Sequence, residues 1–211
     1  MAHNQVSAII LAAGESNRLH TNKLLLLYNG KPLIEHLFDL IALCDFHEII
    51  LVISKRNLTQ LQKFEYTSTD GVSRRIHILA HIKIRLNDHV EMGQSYSVVN
   101  GTQVATGDGY LFFTVDQPLL TTKLINEILR SGNSRNIVYP LYQGQPCTPT
   151  YFGCEFREDL LHVKGQQGGR SVRDLYTFAC LGVQVEDESQ LQDIDTLEDY
   201  RNIINQCELD R

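Results

Sequence analysis

Short runs that are apolar at nearly every position, rather than at alternate ones, restrict most what this chain can become. Val6-Ser7-Ala8-Ile9-Ile10-Leu11 carries one serine among apolar residues, and Ile49-Ile50-Leu51-Val52-Ile53 carries no polar residue at all. Tyr110-Leu111-Phe112-Phe113-Thr114-Val115 is of the same kind. Runs this short do not cross a bilayer as helices. As strands they need cover on both faces, which helices packed on a parallel sheet supply. Helical spacing fills the intervals. Leu33, Leu37, Leu40 and Ile41 recur behind Pro32, a residue that a first helical turn accepts. Leu58, Leu61 and Phe64 predict a short helix, and Ile76-His77-Ile78-Leu79 a further strand. Gly93 to Val104 reads as a helix in spite of Gly101, which costs about 1 kcal/mol against Ala. Thr121 to Arg130 reads as another, with Leu124, Ile125, Ile128 and Leu129 on one side. The alternation predicts a three-layer α/β domain.

After Arg130 the pattern loosens. Ile137 to Leu141 predicts a strand, Gly144, Pro146 and Pro149 interrupt it, and Thr150 to Phe152 resumes it. Helices are expected around Leu160-Leu161 and over Arg170 to Phe178, a strand over Ala179 to Val185, and a last helix over Asp195 to Ile204 opened by Thr196. The expected organisation is a single domain, residues 1–211, in which 131–211 forms a second cleft wall beside the half made by 1–130.

Charge narrows the partners. The 211 residues hold 19 Lys+Arg against 25 Asp+Glu, a net charge of −6. A nucleic-acid binder needs a basic face to neutralise phosphates, so none is expected; a small phosphorylated ligand needs only one or two placed cations. The start, MAHNQVSAII, lacks a basic region and a long apolar segment, so no signal peptide and no membrane association are expected. The five cysteines are odd in number and without CxxC spacing, which reads as reduced, mostly buried thiols in a cytoplasmic protein.

Two loops carry the chemistry. Leu11-Ala12-Ala13-Gly14-Glu15-Ser16-Asn17-Arg18, with Lys23 beyond, follows the first strand. In open α/β sheets ligands bind where loops leave the carboxyl ends of strands. Ala12, Ala13 and Gly14 have so little side chain that backbone N–H groups can approach phosphate oxygens. Arg18 offers a planar fork and Lys23 a mobile point charge. The alternative is an ordinary turn with solvated cations. The second loop, Asp116-Gln117-Pro118, follows an apolar strand and brings a carboxylate to the same edge. Mg²⁺ binds through one or two such carboxylates plus substrate phosphates; a turn-forming aspartate is the alternative.

Leu11 to Arg18 with Lys23 resembles LAAGxSxRMGxxK, the signature of an NTP-transferase family. The branch it resembles most is the molybdenum cofactor cytidylyltransferases and molybdenum hydroxylase accessory proteins. Glu91-Met92-Gly93-Gln94-Ser95-Tyr96-Ser97 resembles that branch's Gly-x-x-x-Ser segment at the base-binding edge, and Asp116-Gln117-Pro118 its metal-binding DxP. Gly165-Gln166-Gln167-Gly168-Gly169-Arg170 resembles its GDxGAR, and Asp193 to Asp199 its DIDTPED. The likeness spans residues 6 to 201.

The resemblance implies a Rossmann-like nucleotidyltransferase core with a mostly parallel sheet and a C-terminal appendage forming the acceptor side. The implied reaction joins CMP from CTP to the terminal phosphate of molybdopterin, releasing pyrophosphate, with a molybdenum hydroxylase as a possible recipient of the product. Arg18, Lys23 and Asp116 become the catalytic set, and Asp116 the ligand of Mg²⁺ or Mn²⁺. Leu11, Ala12, Ala13, Gly14, Gly93 and Ser97 join Arg18 and Lys23 around the nucleotide. Ala13 stands where guanylyl-transferring relatives resemble LAGG, which favours CTP. Thr148, Gln166 and Arg170 fall on the acceptor side. There the pattern departs from the family: Thr148 replaces a His, Cys147 a Gly, and Gln166 an Asp. In the first loop Leu19 and His20 replace Met-Gly. These changes keep two other readings open, transfer to a sugar or polyol phosphate and a non-catalytic cofactor-binding accessory protein. Asp193 and Asp195 are expected to cap the last helix, and Arg74-Arg75 to sit solvated at a hairpin tip.

Overall fold

The computed structural model describes residues 5–14, 19, 21–77 and 81–209. In chain order the strands and helices are β1 (Val6–Ala12), β2 (Leu27–Tyr28), β3 (Lys31–Pro32), α1 (Leu33–Ala42), β4 (Glu48–Ile53) and α2 (Lys55–Lys63). Next come β5 (Glu65–Thr67), β6 (Ser73–Arg75), β7 (Ile82–Leu86), α3 (Gln94–Val104), β8 (Gly109–Thr114) and α4 (Thr122–Ser131). The chain continues with β9 (Ile137–Tyr142), β10 (Gln145–Pro146), β11 (Thr150–Gly153), α5 (Arg157–Leu161), α6 (Arg170–Leu175), β12 (Cys180–Gln184) and α7 (Leu197–Leu209).

One mixed sheet runs in the order β10-β9-β11-β8-β1-β4-β7, with β12 also on β9. The pairs β1–β4, β1–β8, β4–β7 and β9–β12 are parallel, and β11 runs antiparallel between β8 and β9. The apolar runs are β1, β4 and β8, side by side at the centre, buried on both faces as expected. Ala8, Ile10 and Ala12 pack with Ile34 and Leu37 of α1, Leu124 and Ile128 of α4, and Ile203 of α7. Ile9 of the same strand packs the opposite way, with Val98 of α3, Leu160 of α5 and Val172 of α6. Burying each of the Ile, Leu and Val side chains contributes about 1.5–3 kcal/mol. Gly101 has its reason here: a Cβ on it would collide with the Ile9 side chain, so the glycine lets α3 lie close against β1.

Several expectations are corrected. The third strand of the parallel run is Ile82–Leu86; Ile76 and His77 form no strand, and Ile78 and Leu79 lie outside the described residues. The strand was missed because it is an edge strand. Lys83 and Arg85 alternate with Ile82, Ile84 and Leu86, and of these only Ile82 is buried, so the run never looks like a core strand. Pro32 precedes α1 at its N-cap instead of standing in the first turn. Four of the cysteines, Cys44, Cys147, Cys154 and Cys180, are half-buried rather than fully buried. Arg74 and Arg75 are exposed on β6, paired with Asp70 and Glu65, and the hairpin tip lies before them. Among the described residues no helix is long and apolar enough to cross a membrane.

Candidate active site

In the β1–β8 register Leu11 stands beside Thr114. The loop Ala13-Gly14 and the loop Val115-Asp116 therefore leave the sheet at neighbouring points of its carboxyl edge. Between them and the start of α3 lies a cleft of about 700 Å³. Leu11, Ala12, Ala13, Gly14 and Lys23 of the first loop region line it together with Gly93, Ser97 and Asp116. Arg18 lies outside the described residues, as do Ser16 and His20.

Lys23 opens a short 3-10 turn, Lys23–Leu25, capped by Asn22, whose Oδ1 accepts from the Leu24 N–H at 3.1 Å. The turn delivers the ammonium into the cleft. Its Nζ donates to Asp116 Oδ2 at 3.0 Å and to Asp195 Oδ1 at 3.0 Å. Burial alone would lower the Lys23 pKa, but the Asp116 charge and the hydrogen bonds to both carboxylates outweigh it and hold the value above the usual one. Lys23 is thus a fixed positive charge.

Asp116 is joined to the C-terminal segment through its backbone: its carbonyl accepts from Ile194 N–H at 2.9 Å. Gln117, buried beside it, donates from Nε2 to the carbonyls of Thr148 at 3.4 Å and Leu191 at 3.3 Å. The Asp116-Gln117-Pro118 loop therefore gathers two distant segments around itself. This corrects the expectation for Asp193 and Asp195. The cap of α7 is reciprocal between Thr196 and Asp199: Thr196 Oγ1 accepts from Asp199 N–H at 3.1 Å, and Asp199 Oδ2 accepts from Thr196 N–H at 2.7 Å. With the helix start met by that pair, Asp195 turns to Lys23 in the cleft and Asp193 into an adjoining pocket.

The adjoining pocket, about 230 Å³, shares Leu11, Gln94 and Thr114 with the cleft. Thr148 and Arg170 line it, as does Arg173, one helical turn from Arg170 on α6. Arg173 was not singled out from the sequence, although spacing of three on a helix places the two guanidinium groups on one face. Gln166 does not line that pocket. Its loop is tied to the start of α3, the Ser95 N–H donating to Gly165 O at 3.2 Å and the Gly168 N–H to Ser95 Oγ at 3.1 Å. Gln166 consequently lines the larger cleft, against Gly93.

Asp193 is exposed at the pocket mouth, yet protein atoms on its other sides push its pKa up to about 7 by desolvation, followed by the charges of Asp116 and Asp195. A carboxyl that holds its proton to about pH 7 when folded, but only to about pH 4 when unfolded, makes stability fall as pH rises through that window. Asp193→Asn is therefore expected to flatten the decline in urea midpoint between pH 5 and pH 7.5; an unchanged decline would place the titration elsewhere.

Gly93, at the N-cap of α3, has φ +82°. A Cβ there would lie 2.7 Å from Gln166 Oε1 and 2.7 Å from Gly165 O. Ser97, one turn on, accepts from Asn87 Nδ2 at 2.9 Å, and both are buried. Asn87 is a cleft residue the sequence reading missed, since nothing in the sequence near it marks it. Gly93→Ala combines strain in the left-handed region with displacement of the Gln166 loop. Through the displaced loop it is expected to weaken nucleotide binding by about 10-fold or more, about 1.4 kcal/mol, read by calorimetric titration; unaltered binding would mean that this edge does not face the ligand.

A hard divalent cation needs oxygen donors that other groups do not already occupy. Asp116 Oδ1 is buried and has no hydrogen-bond partner, while Oδ2 is held by Lys23. Among the described residues no three His, Cys, Asp or Glu side chains form a preformed cage. Mg²⁺ takes one or two carboxylates and completes its shell with phosphate oxygens and water, so these residues fit a cation that arrives with a nucleotide.

The profile of the MobA-like NTP transferase domain matches residues 8–180. The chain belongs to that family. It is a nucleotidyltransferase of the MobA-like kind, with the mixed, mostly parallel α/β sheet described above. PucB, a purine catabolism protein of Bacillus subtilis, is 29% identical over 203 residues, covering 91% of this chain and 92% of PucB. A probable molybdenum cofactor guanylyltransferase of Pyrococcus horikoshii is 29% identical over 161 residues, 72% of each chain. Among solved structures, Rv0371c of Mycobacterium tuberculosis H37Rv superposes with a TM-score of 0.80 at 22% identity, over 97% of this chain and 100% of that one. A complex of Rv0371c with manganese superposes at 0.75 and 18% identity, over 96% and 98%. At these identities the structural likeness concerns the fold.

Proposed function

We propose that this MobA-like protein transfers CMP from CTP to the terminal phosphate of molybdopterin and releases pyrophosphate. The observation that carries the reading is the Lys23 ammonium held 3.0 Å from Asp116 inside a nucleotide-sized cleft that adjoins an arginine-lined pocket. In this reading the triphosphate lies along Ala12, Ala13 and Gly14, the base faces Gly93 and Ser97, and the acceptor phosphate enters from the pocket of Thr148, Arg170 and Arg173.

An acceptor phosphate oxygen forms a bond to the α-phosphorus of the nucleotide as the bond to pyrophosphate breaks. The nucleophile is already an anion, so no general base is needed, and the protein's task is alignment and charge neutralisation. Lys23, and Arg18 from the same loop, neutralise charge on the departing pyrophosphate. Asp116 is the residue that would hold a divalent cation, Mg²⁺ or Mn²⁺, whose contribution when bound is Lewis-acid polarisation of the α-phosphate. Arg170 and Arg173 orient the acceptor anion by charge-assisted hydrogen bonds. Ala13, buried in the cleft wall, favours CTP by adding a methyl where LAGG sequences carry glycine. Relatives named guanylyltransferase make GTP the competing donor. In this reading the product passes to a molybdenum hydroxylase, and the protein acts in the cytoplasm.

Pyrophosphate release with molybdopterin and each of CTP, GTP, ATP and UTP tests the proposal. Release with CTP alone is the expected result; release with GTP alone moves the donor assignment, and turnover only with a sugar or polyol phosphate moves the acceptor. Nucleotide binding without turnover on any acceptor would replace transfer by cofactor handling.

A further inference from the structure

The first loop is fastened at both of its ends to one side chain that lines neither cavity. Asn57, on α2, is 5% exposed. Its Nδ2 donates to the carbonyl of Ala12 at 2.9 Å and to that of Gly14 at 3.1 Å, where the loop leaves β1. Its Oδ1 accepts from Asn22 Nδ2 at 3.3 Å, where the loop returns. Asn22 is the residue whose own Oδ1 caps the Lys23–Leu25 turn, and its Nδ2 also donates to Gln60 Oε1 at 2.6 Å, one turn further along α2. Asn57 itself is held by the cap of α2, its N–H donating to Ser54 Oγ at 3.2 Å.

We propose that Asn57 is a positioning residue for nucleotide binding: it clamps the two ends of the phosphate-facing loop together and so sets the aim of both the Ala13 N–H and the Lys23 ammonium. In a trans peptide the N–H points opposite to the carbonyl of the preceding residue. Drawing the Ala12 carbonyl down onto Asn57 therefore turns the Ala13 N–H away from α2. On the other end, fixing Asn22 fixes the turn that carries Lys23. A carboxamide is the small group that supplies two N–H donors and an acceptor at once. An aspartate of the same shape would set oxygen against two carbonyl oxygens, and an alanine would take the Asn57 donors from both carbonyls and leave Asn22 tied to α2 through Gln60 alone.

The inference rests on the nucleotidyltransferase reading, and the experiment separates the two. Wild type, Asn57→Asp, Asn57→Ala and Lys23→Ala are titrated calorimetrically with CTP and with GTP in the presence of Mg²⁺, and the melting temperature of each ligand-free protein is measured alongside. The expected result is a dissociation constant raised about 10- to 30-fold in both Asn57 variants, as lost loop alignment and two lost hydrogen bonds require. Molybdopterin KM should stay within about twofold, since the clamp does not reach the acceptor pocket. A residue with a stabilising role alone would lower the melting temperature and the active fraction, while the folded remainder bound nucleotide with the wild-type constant. An unchanged constant in the Asn57 variants beside a weakened Lys23→Ala would overturn the clamp and leave the reading standing. Wild type binding neither nucleotide would overturn both.

Discussion

Asp116→Ala lowers nucleotidyl transfer by about 10²- to 10³-fold while leaving the protein folded. The magnitude is that of removing one preorganised electrostatic group from a transition state. The fold should survive because the carboxylate packs little: it lies at a strand end, with one oxygen on Lys23 and the other unpartnered. Its removal takes away the group best placed for a divalent cation and leaves the Lys23 bond to Asp195 in place. Steady-state pyrophosphate release, with circular dichroism confirming the fold, checks this. Wild-type rates in the variant would remove Asp116 from the mechanism.

Lys23→Ala raises the dissociation constant for the nucleotide by about 10- to 100-fold, corresponding to about 1.5–3 kcal/mol for a charge-assisted bond to phosphate. Two effects combine. The cation that would meet the triphosphate is lost, and the cluster of Asp116 and Asp195 loses its compensating charge and repels the triphosphate. The same cluster lowers the stability of the ligand-free variant, so binding is measured well below its melting point. Titration with CTP and Mg²⁺ gives the constant. An unaltered value would mean that the first loop does not cradle a triphosphate.

Part of this site is legible in the sequence because the chemistry is local. Ala12, Ala13 and Gly14 are adjacent small residues after an apolar strand, and Asp116 follows another; two parallel neighbouring strands necessarily bring such loops to one edge. Asp195 was misread for a physical reason as well. An aspartate just before a helix satisfies the rule for capping, and nothing local says that Thr196 and Asp199 already meet that need. Arg173 was passed over because, alone in sequence, it is one charged helix residue among several. Gln166 neighbours Arg170 in sequence, but the hydrogen bonds of Ser95 hold its loop against the start of α3, so that Gln166 lines the larger cleft while Gln167 lines the adjoining pocket. Asn57 carries no signal at all: an asparagine on an amphipathic helix is ordinary until its distances to Ala12 and Gly14 are measured.

What the sequence alone determined is the layered α/β architecture, the central strands and the two loops at their carboxyl ends. Hydrophobic periodicity and backbone permissiveness are properties of neighbouring residues, so they can be read along the chain. Which charges meet is settled by the assembled fold. Lys23, Asp116 and Asp195 are separated by 93 and 79 positions, yet lie within 3.0 Å contacts. No local rule links them, because electrostatic energy depends on distance through space and on burial, and both are fixed only when the sheet has assembled.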